Sequence, residues 1–280
     1  MSLPSPEYFA KEMIADLGIT ALPVDPFSIV TELDIIVAEE DADNFDGCLL
    51  RSISGARIIL NKNIGSQGRK NFTLAHEIGH YSIPTHRGDY KCLAKHLDPF
   101  GKNPPEETEA NKFASELLLP ESLFKPLVHQ FKPDFEDLSD LAVICNTSLT
   151  ATTLKYVSLT AECCALIASH NNIIEWSWKS PSFTFYILKG VPAARGTLTA
   201  SYMHEIVPKA PASQKTDAGL WIEGKGVSQK TELFESCVPA PKYGHVLTLL
   251  WLLDSFGEDD EETHEYRYEE GPWKWTDPKE

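Results

Sequence analysis

Apolar residues recur at intervals of three and four through the first third of the chain, and residues that start or stop helices bracket each run. Ser5-Pro6-Glu7 supplies a cap and a proline at the first helical position; Phe9, Met13, Ile14 and Leu17 form a stripe, and Gly18 ends it. Asp25-Pro26 repeats the device for a second helix through Phe27, Ile29, Val30 and Leu33. Residues 34–38 then read as a strand, and an acidic loop over 39–46 leads to Gly47. Two more strands, 48–53 and 57–60, are joined by a Ser54-Gly55 turn. A third helix starts near Gln67, with Leu74, Ala75, Ile78 and Gly79 in an apolar segment, and breaks at Pro84. Residues 85–102 are loop-like, with a turn at 98–101, and Asn103-Pro104-Pro105 precedes a helix running to Leu119 whose acidic first turn suits the helix dipole. Another helix begins at residues 120–124.

Beyond residue 133 the texture changes twice. Residues 138–146 and 149–159 read as two helices across a Thr147-Ser148 turn, a spacing like that of a helix-turn-helix. From Ala161 the chain becomes β-rich, with strands at 165–169, 173–178 and 183–188, the first two joined by an Asn171-Asn172 hairpin turn. Loops follow at 208–217 and around 224–226, with strands near Trp221 and over 246–252. Trp176 and Trp178 read as packing, and the acidic tail at 258–270 as solvated or as a docking segment carrying Tyr266 and Tyr268.

Composition narrows the function classes. The 280 residues are 42% hydrophobic and 24% charged, an ordinary globular balance with room for a full core. A formal net charge of −16 and the absence of a basic patch argue against direct binding to a phosphate backbone. The second helix of the turn motif offers Thr150, Thr152, Thr153 and only one cation, Lys155. The N-terminus lacks the basic and apolar regions of a secretory signal, and the longest apolar run is too short for a bilayer. Cys48, Cys92, Cys145, Cys163, Cys164 and Cys237 form no C-x-x-C pair and read as reduced, buried thiols, so a cytoplasmic location is expected.

The chemistry concentrates in Phe72-Thr73-Leu74-Ala75-His76-Glu77-Ile78-Gly79-His80-Tyr81. Four residues apart on a helix, His76 and His80 leave the same face one turn apart, where one tetrahedral ion takes both. Glu77 lies beside the open position of such an ion, placed to accept a proton from its water. A catalytic zinc needs a third protein ligand, and two residues compete. His86 has the spacing of the metzincin motif, but Ile83 stands where that motif needs glycine, and Met203 has no Met-turn context. Glu107 shares a helix face with Ala110, Asn111 and Ala114, which permits close approach; Asn111 then accepts from a ligand imidazole and fixes its tautomer. Glu106 and Glu109 read as solvated charges on other faces.

Arg69-x-x-Phe72-x-x-Ala75-His76-Glu77-x-Gly79-His80, followed by Glu107-x-x-Ala110-Asn111-x-Phe113-Ala114-x-x-Leu117-Leu118-x-Pro120, resembles the ImmA/IrrE family of metallo-endopeptidases over roughly residues 5–130. The resemblance implies a zincin-like fold with His76, His80 and Glu107 as ligands and Glu77 as the general base. It also implies a substrate, a helix-turn-helix repressor whose cleavage relieves repression, often in a stress response. Relatives carry a histidine close behind the motif helix; here the nearest is His86, kept as a rim residue that contacts substrate, with Tyr81 and Tyr90 as further oxyanion candidates. By the same resemblance the strand 57–60 is an edge that pairs with substrate.

The expected architecture is therefore α+β: a zincin-like peptidase domain over 1–132, a helical helix-turn-helix-like segment over 133–160, and a β-rich, sensor-like α/β domain with an acidic tail over 161–280. The expected function is zinc-dependent hydrolysis of a peptide bond in a protein, with Mn²⁺ or Fe²⁺ tolerated by the same ligands. The alternative is a non-enzymatic regulator that binds its partner stoichiometrically.

Overall fold

The computed structural model describes residues 4–42, 45–93, 97, 103–203, 212–224, 232–240 and 245–252. The described chain is a mixed α+β protein in two compact units, the first built from the described residues of 4–127 and 141–152, the second from those of 128–140 and 153–252.

In the first unit, α1 (Pro6–Asp16) and α2 (Pro26–Glu32) both begin with a proline, and the Asp25 carboxylate caps α2 by accepting from Phe27 N at 3.0 Å. Asp34 then takes a left-handed φ of 54°, so the first strand, β1 (Ile36–Glu40), starts two residues later than its apolar pattern suggests. β2 (Gly47–Ser52) and β3 (Gly55–Asn61) form the expected hairpin, with Ser52 opposite Gly55. The motif helix α3 (Gln67–Ser82) starts where its Ser66 cap accepts from Arg69 N.

The stretch expected to be loop after Pro84 instead contains a three-residue strand, β4 (Tyr90–Cys92), antiparallel to β2. The sheet order is β1-β3-β2-β4. β3 is thus an interior strand, parallel to β1 on one side and antiparallel to β2 on the other, which overturns its expected edge position. β4 ends the sheet beside β2.

α4 (Pro105–Leu118) lies against α3 along small residues: a Cβ added at Gly79 would sit 3.0 Å from a Phe113 ring carbon. α5 (Glu121–Val128) follows. The two later helices are α6 (Phe135–Cys145) and α7 (Leu149–Leu159), and Asn146 between them has a left-handed φ of 51°. On α7, Thr152 and Thr153 are fully buried, which removes two of the four polar residues that a base-reading helix would present.

The second unit is organised on a five-stranded antiparallel sheet of order β6-β5-β11-β10-β8, from β5 (Cys164–His170), β6 (Ile173–Lys179), β8 (Ala212–Asp217), β10 (Glu232–Ala240) and β11 (His245–Trp251). Asn171 and Asn172 both have positive φ, as a two-residue hairpin turn requires. The stretch 183–188 yields only β7 (Tyr186–Ile187), paired with β9 (Ile222–Glu223). β8 replaces part of the loop expected at 208–217, and the short helix α8 (Leu198–Met203) was not foreshadowed by periodicity. Trp176 and Trp178 stack at 6.3 Å, and Trp176 is buried. The turn at 98–101, the glycine loop beyond Gly224 and the tail at 258–270 lie outside the described residues. Among the described residues the cysteines are free, and no helix is long and apolar enough to cross a membrane.

Candidate metal centre

Helical periodicity places His76 and His80 on the face of α3 that meets α4, and both are completely buried. Their Nε2 atoms lie 3.0 Å apart, and Glu107 Oε2, on the facing turn of α4, lies 3.1 Å from His76 Nε2 and 3.7 Å from His80 Nε2. A fourth donor joins them: Cys92 Sγ, on β4, lies 3.2 Å from His76 Nε2 and 3.8 Å from Glu107 Oε1.

The outer nitrogens of the rings show how the inner ones are disposed. Asn111 Oδ1 accepts from His76 Nδ1 at 2.8 Å, which leaves a lone pair on His76 Nε2. His86 Nε2 donates to Glu109 Oε2 at 2.9 Å, so the bare His86 Nδ1 accepts from His80 Nδ1 at 3.0 Å. His80 Nε2 therefore also carries a lone pair. Burial holds the His80 imidazole down to about 3, so the ring is neutral. Burial, reinforced by Glu77 and Glu107, pushes the Cys92 thiol far up, so it keeps its proton unless a cation takes the sulfur's electrons. Two imidazole lone pairs and a carboxylate that converge in a dry space repel one another, and a divalent cation removes that conflict. The donor set fits a metal ion.

Glu77 is fully buried, and neither of its oxygens makes a hydrogen bond; the Cys92 thiol lies near enough only to bias its ionisation. Burial raises its carboxyl to about 7, against the lowering effect of His76. The room it occupies exists because residue 47 is glycine: a Cβ there would collide with Glu77 Oε1 and sit 2.7 Å from Thr73 Cγ2. Gly47 is also the residue paired with Cys92, and Asp46 N beside it donates to Cys92 O at 3.1 Å. Arg69 holds Asp46 through a buried pair, with Nη2 2.6 Å and Nε 2.9 Å from Oδ2. Arg51 ties the incoming loop down, with Nη1 donating to Gly88 O at 2.6 Å and Nη2 to His80 O at 2.7 Å.

The remaining sequence candidates fall elsewhere. His86, expected on the rim, is buried behind His80, because the turn after Pro84 folds it back under the helix. Tyr90 stacks on the His80 ring at 4.0 Å and donates to Glu106 Oε2 at 3.1 Å; burial and that bond push its hydroxyl up to about 12. Tyr81 is exposed to solvent. Glu109 is not simply a solvated charge, since it anchors His86. Sequence reasoning missed Cys92 and Glu109. Cys92 sits in a strand too short to show alternation, and Glu109 depends on where the loop carries His86.

Residues 30–152 match the model of the IrrE N-terminal-like domain, a peptidase family. No curated protein matches the sequence. Among solved structures, a Mycobacterium tuberculosis transcriptional regulator is similar with a TM-score of 0.52 and 12% identity, covering 88% of this chain and 76% of that one. At that identity the likeness is one of fold alone. Residues 30–152 of the chain thus form a domain similar to the IrrE N-terminal-like peptidase domain, with a candidate metal centre at its heart.

Proposed function

We propose that the N-terminal unit is a metal-dependent endopeptidase that cuts a protein substrate, with His76, His80 and Glu107 holding zinc and Glu77 acting as general base. The observation that carries this reading is the convergence of those three donors beside a buried carboxylate that has no hydrogen-bond partner. When bound, a divalent ion supplies Lewis acidity, which acidifies a water and polarises a carbonyl. Glu77 takes the proton of the attacking water and passes it to the leaving amine, and its raised affinity for a proton suits both transfers. Asn111 and the Glu109–His86 pair keep the ligand rings aimed inward. With β3 in the sheet interior, β4 becomes the strand along which a substrate backbone would pair. Similarity to the family supports a helix-turn-helix repressor as the substrate.

The test compares new protein N-termini in cells expressing the chain or its Glu77→Gln variant. The expected result is a fragment that depends on Glu77, with turnover reduced by roughly 10²–10⁴-fold in the variant while metal stays bound. Equal cleavage by both would overturn the base assignment. Cleavage by neither would favour a stoichiometric regulator, a reading that must then explain why a buried carboxylate is kept without a partner, at a cost of several kcal/mol by order of magnitude.

A further inference from the structure

A hydrolytic metal centre keeps one coordination position for water, whereas a centre with four protein donors is closed. In this chain one donor atom each from His76, His80, Cys92 and Glu107 lies within 4.8 Å of all the others, and all four residues are buried. We propose that Cys92 is the fourth protein ligand and closes the metal centre at rest, so that the site is latent until β4 is drawn away; this rests on the metallopeptidase reading above.

The four donors differ in how they are held. His76, His80 and Glu107 sit on helices of 16 and 14 residues that lock together at Gly79 and Phe113. Cys92 sits on a three-residue strand at the end of the sheet, paired in that sheet with β2 alone. Cys92 reaches the cluster from the strand position paired with Gly47, and Arg51 tethers Gly88, two residues before the strand. Three ligands are therefore fixed and one is detachable. Two imidazoles, a carboxylate and a thiolate are also a set that zinc accepts in tetrahedral geometry. Displacing the thiolate restores the His₂Glu centre with a position open for water.

The full chain, loaded separately with Zn²⁺ and Co²⁺, provides the test. X-ray absorption of the zinc form should show one sulfur scatterer at about 2.3 Å beside nitrogen and oxygen at about 2.0–2.1 Å. The cobalt form should carry a thiolate charge-transfer band, and acetohydroxamate should leave its spectrum unchanged. In Cys92→Ser the sulfur scatterer and the band should vanish, acetohydroxamate should shift the cobalt spectrum, and metal should be held about 10–100-fold less tightly against a chelator. Bound zinc with no sulfur neighbour in the wild-type chain would overturn the proposal and leave the peptidase reading intact. Acetohydroxamate binding to wild-type cobalt protein that keeps its thiolate band would overturn the closure. A wild-type chain that binds neither metal would overturn both readings. The wild-type absorption spectrum decides the ligand question even if the variant does not fold.

Discussion

Two imidazoles present their inner nitrogens to one point because of bonds made at their outer nitrogens. Asn111 fixes one ring directly, and Glu109 fixes the other through His86. Asn111→Ala should weaken metal binding about 10–100-fold in a chelator competition, with an intact circular dichroism spectrum, since it removes an orienting bond and no ligand. Glu109→Ala should act in the same direction through His86 and His80. Glu77 carries a pH signature in the metal-free protein. Its carboxyl moves from an ordinary 4.5 to about 7 on burial, so between those values the unfolded chain ionises while the native chain keeps its proton. The contribution of Glu77 to stability should thus fall as pH rises through that window and level off above it. Urea midpoints of metal-free protein measured across the window should show this decline, and Glu77→Gln should remove the part due to this residue.

At the scale of elements, the site depends on close approaches that a methyl group would spoil. Gly47→Ala should push Glu77 out of place, lowering stability by about 1–3 kcal/mol in urea unfolding and reducing cleavage even in molecules that fold. Arg69→Met leaves Asp46 without its guanidinium and should cost about 3–5 kcal/mol by the same measurement. Because Asp46 N also holds Cys92 O, this variant should loosen β4 as well. The long helices were legible in the sequence because their periodicity is local: α3 begins at Gln67, and α7 spans 149–159, as their patterns indicate. β1 was displaced by the left-handed turn at Asp34, an event that apolar spacing does not encode. β4 was missed altogether. Three residues carry no measurable alternation, and only its pairing with β2 makes it a strand.

For the whole molecule, the −16 charge and the buried threonines of α7 bear on the same question. Duplex DNA should show no salt-sensitive affinity in fluorescence anisotropy; a linear fall of log affinity with log salt would revive a DNA-reading role. The first unit takes in residues 141–152 as well as those before 128, so Asn71 Nδ2 donates to Asn146 O across a long loop of sequence. The sequence by itself determined the helix that carries His76 and His80 on one face, with Glu77 between them, because 3.6 residues per turn fix those directions wherever the helix lies. It also offered Glu107 and Asn111 on one face of a second helix for the same reason. Only the tertiary structure decided that β3 is interior, that His86 turns inward onto His80, and that Cys92 completes the cluster. Those three outcomes depend on how strands pair and where a loop returns, and chain positions that meet only after long-range closure leave no periodic trace in the sequence.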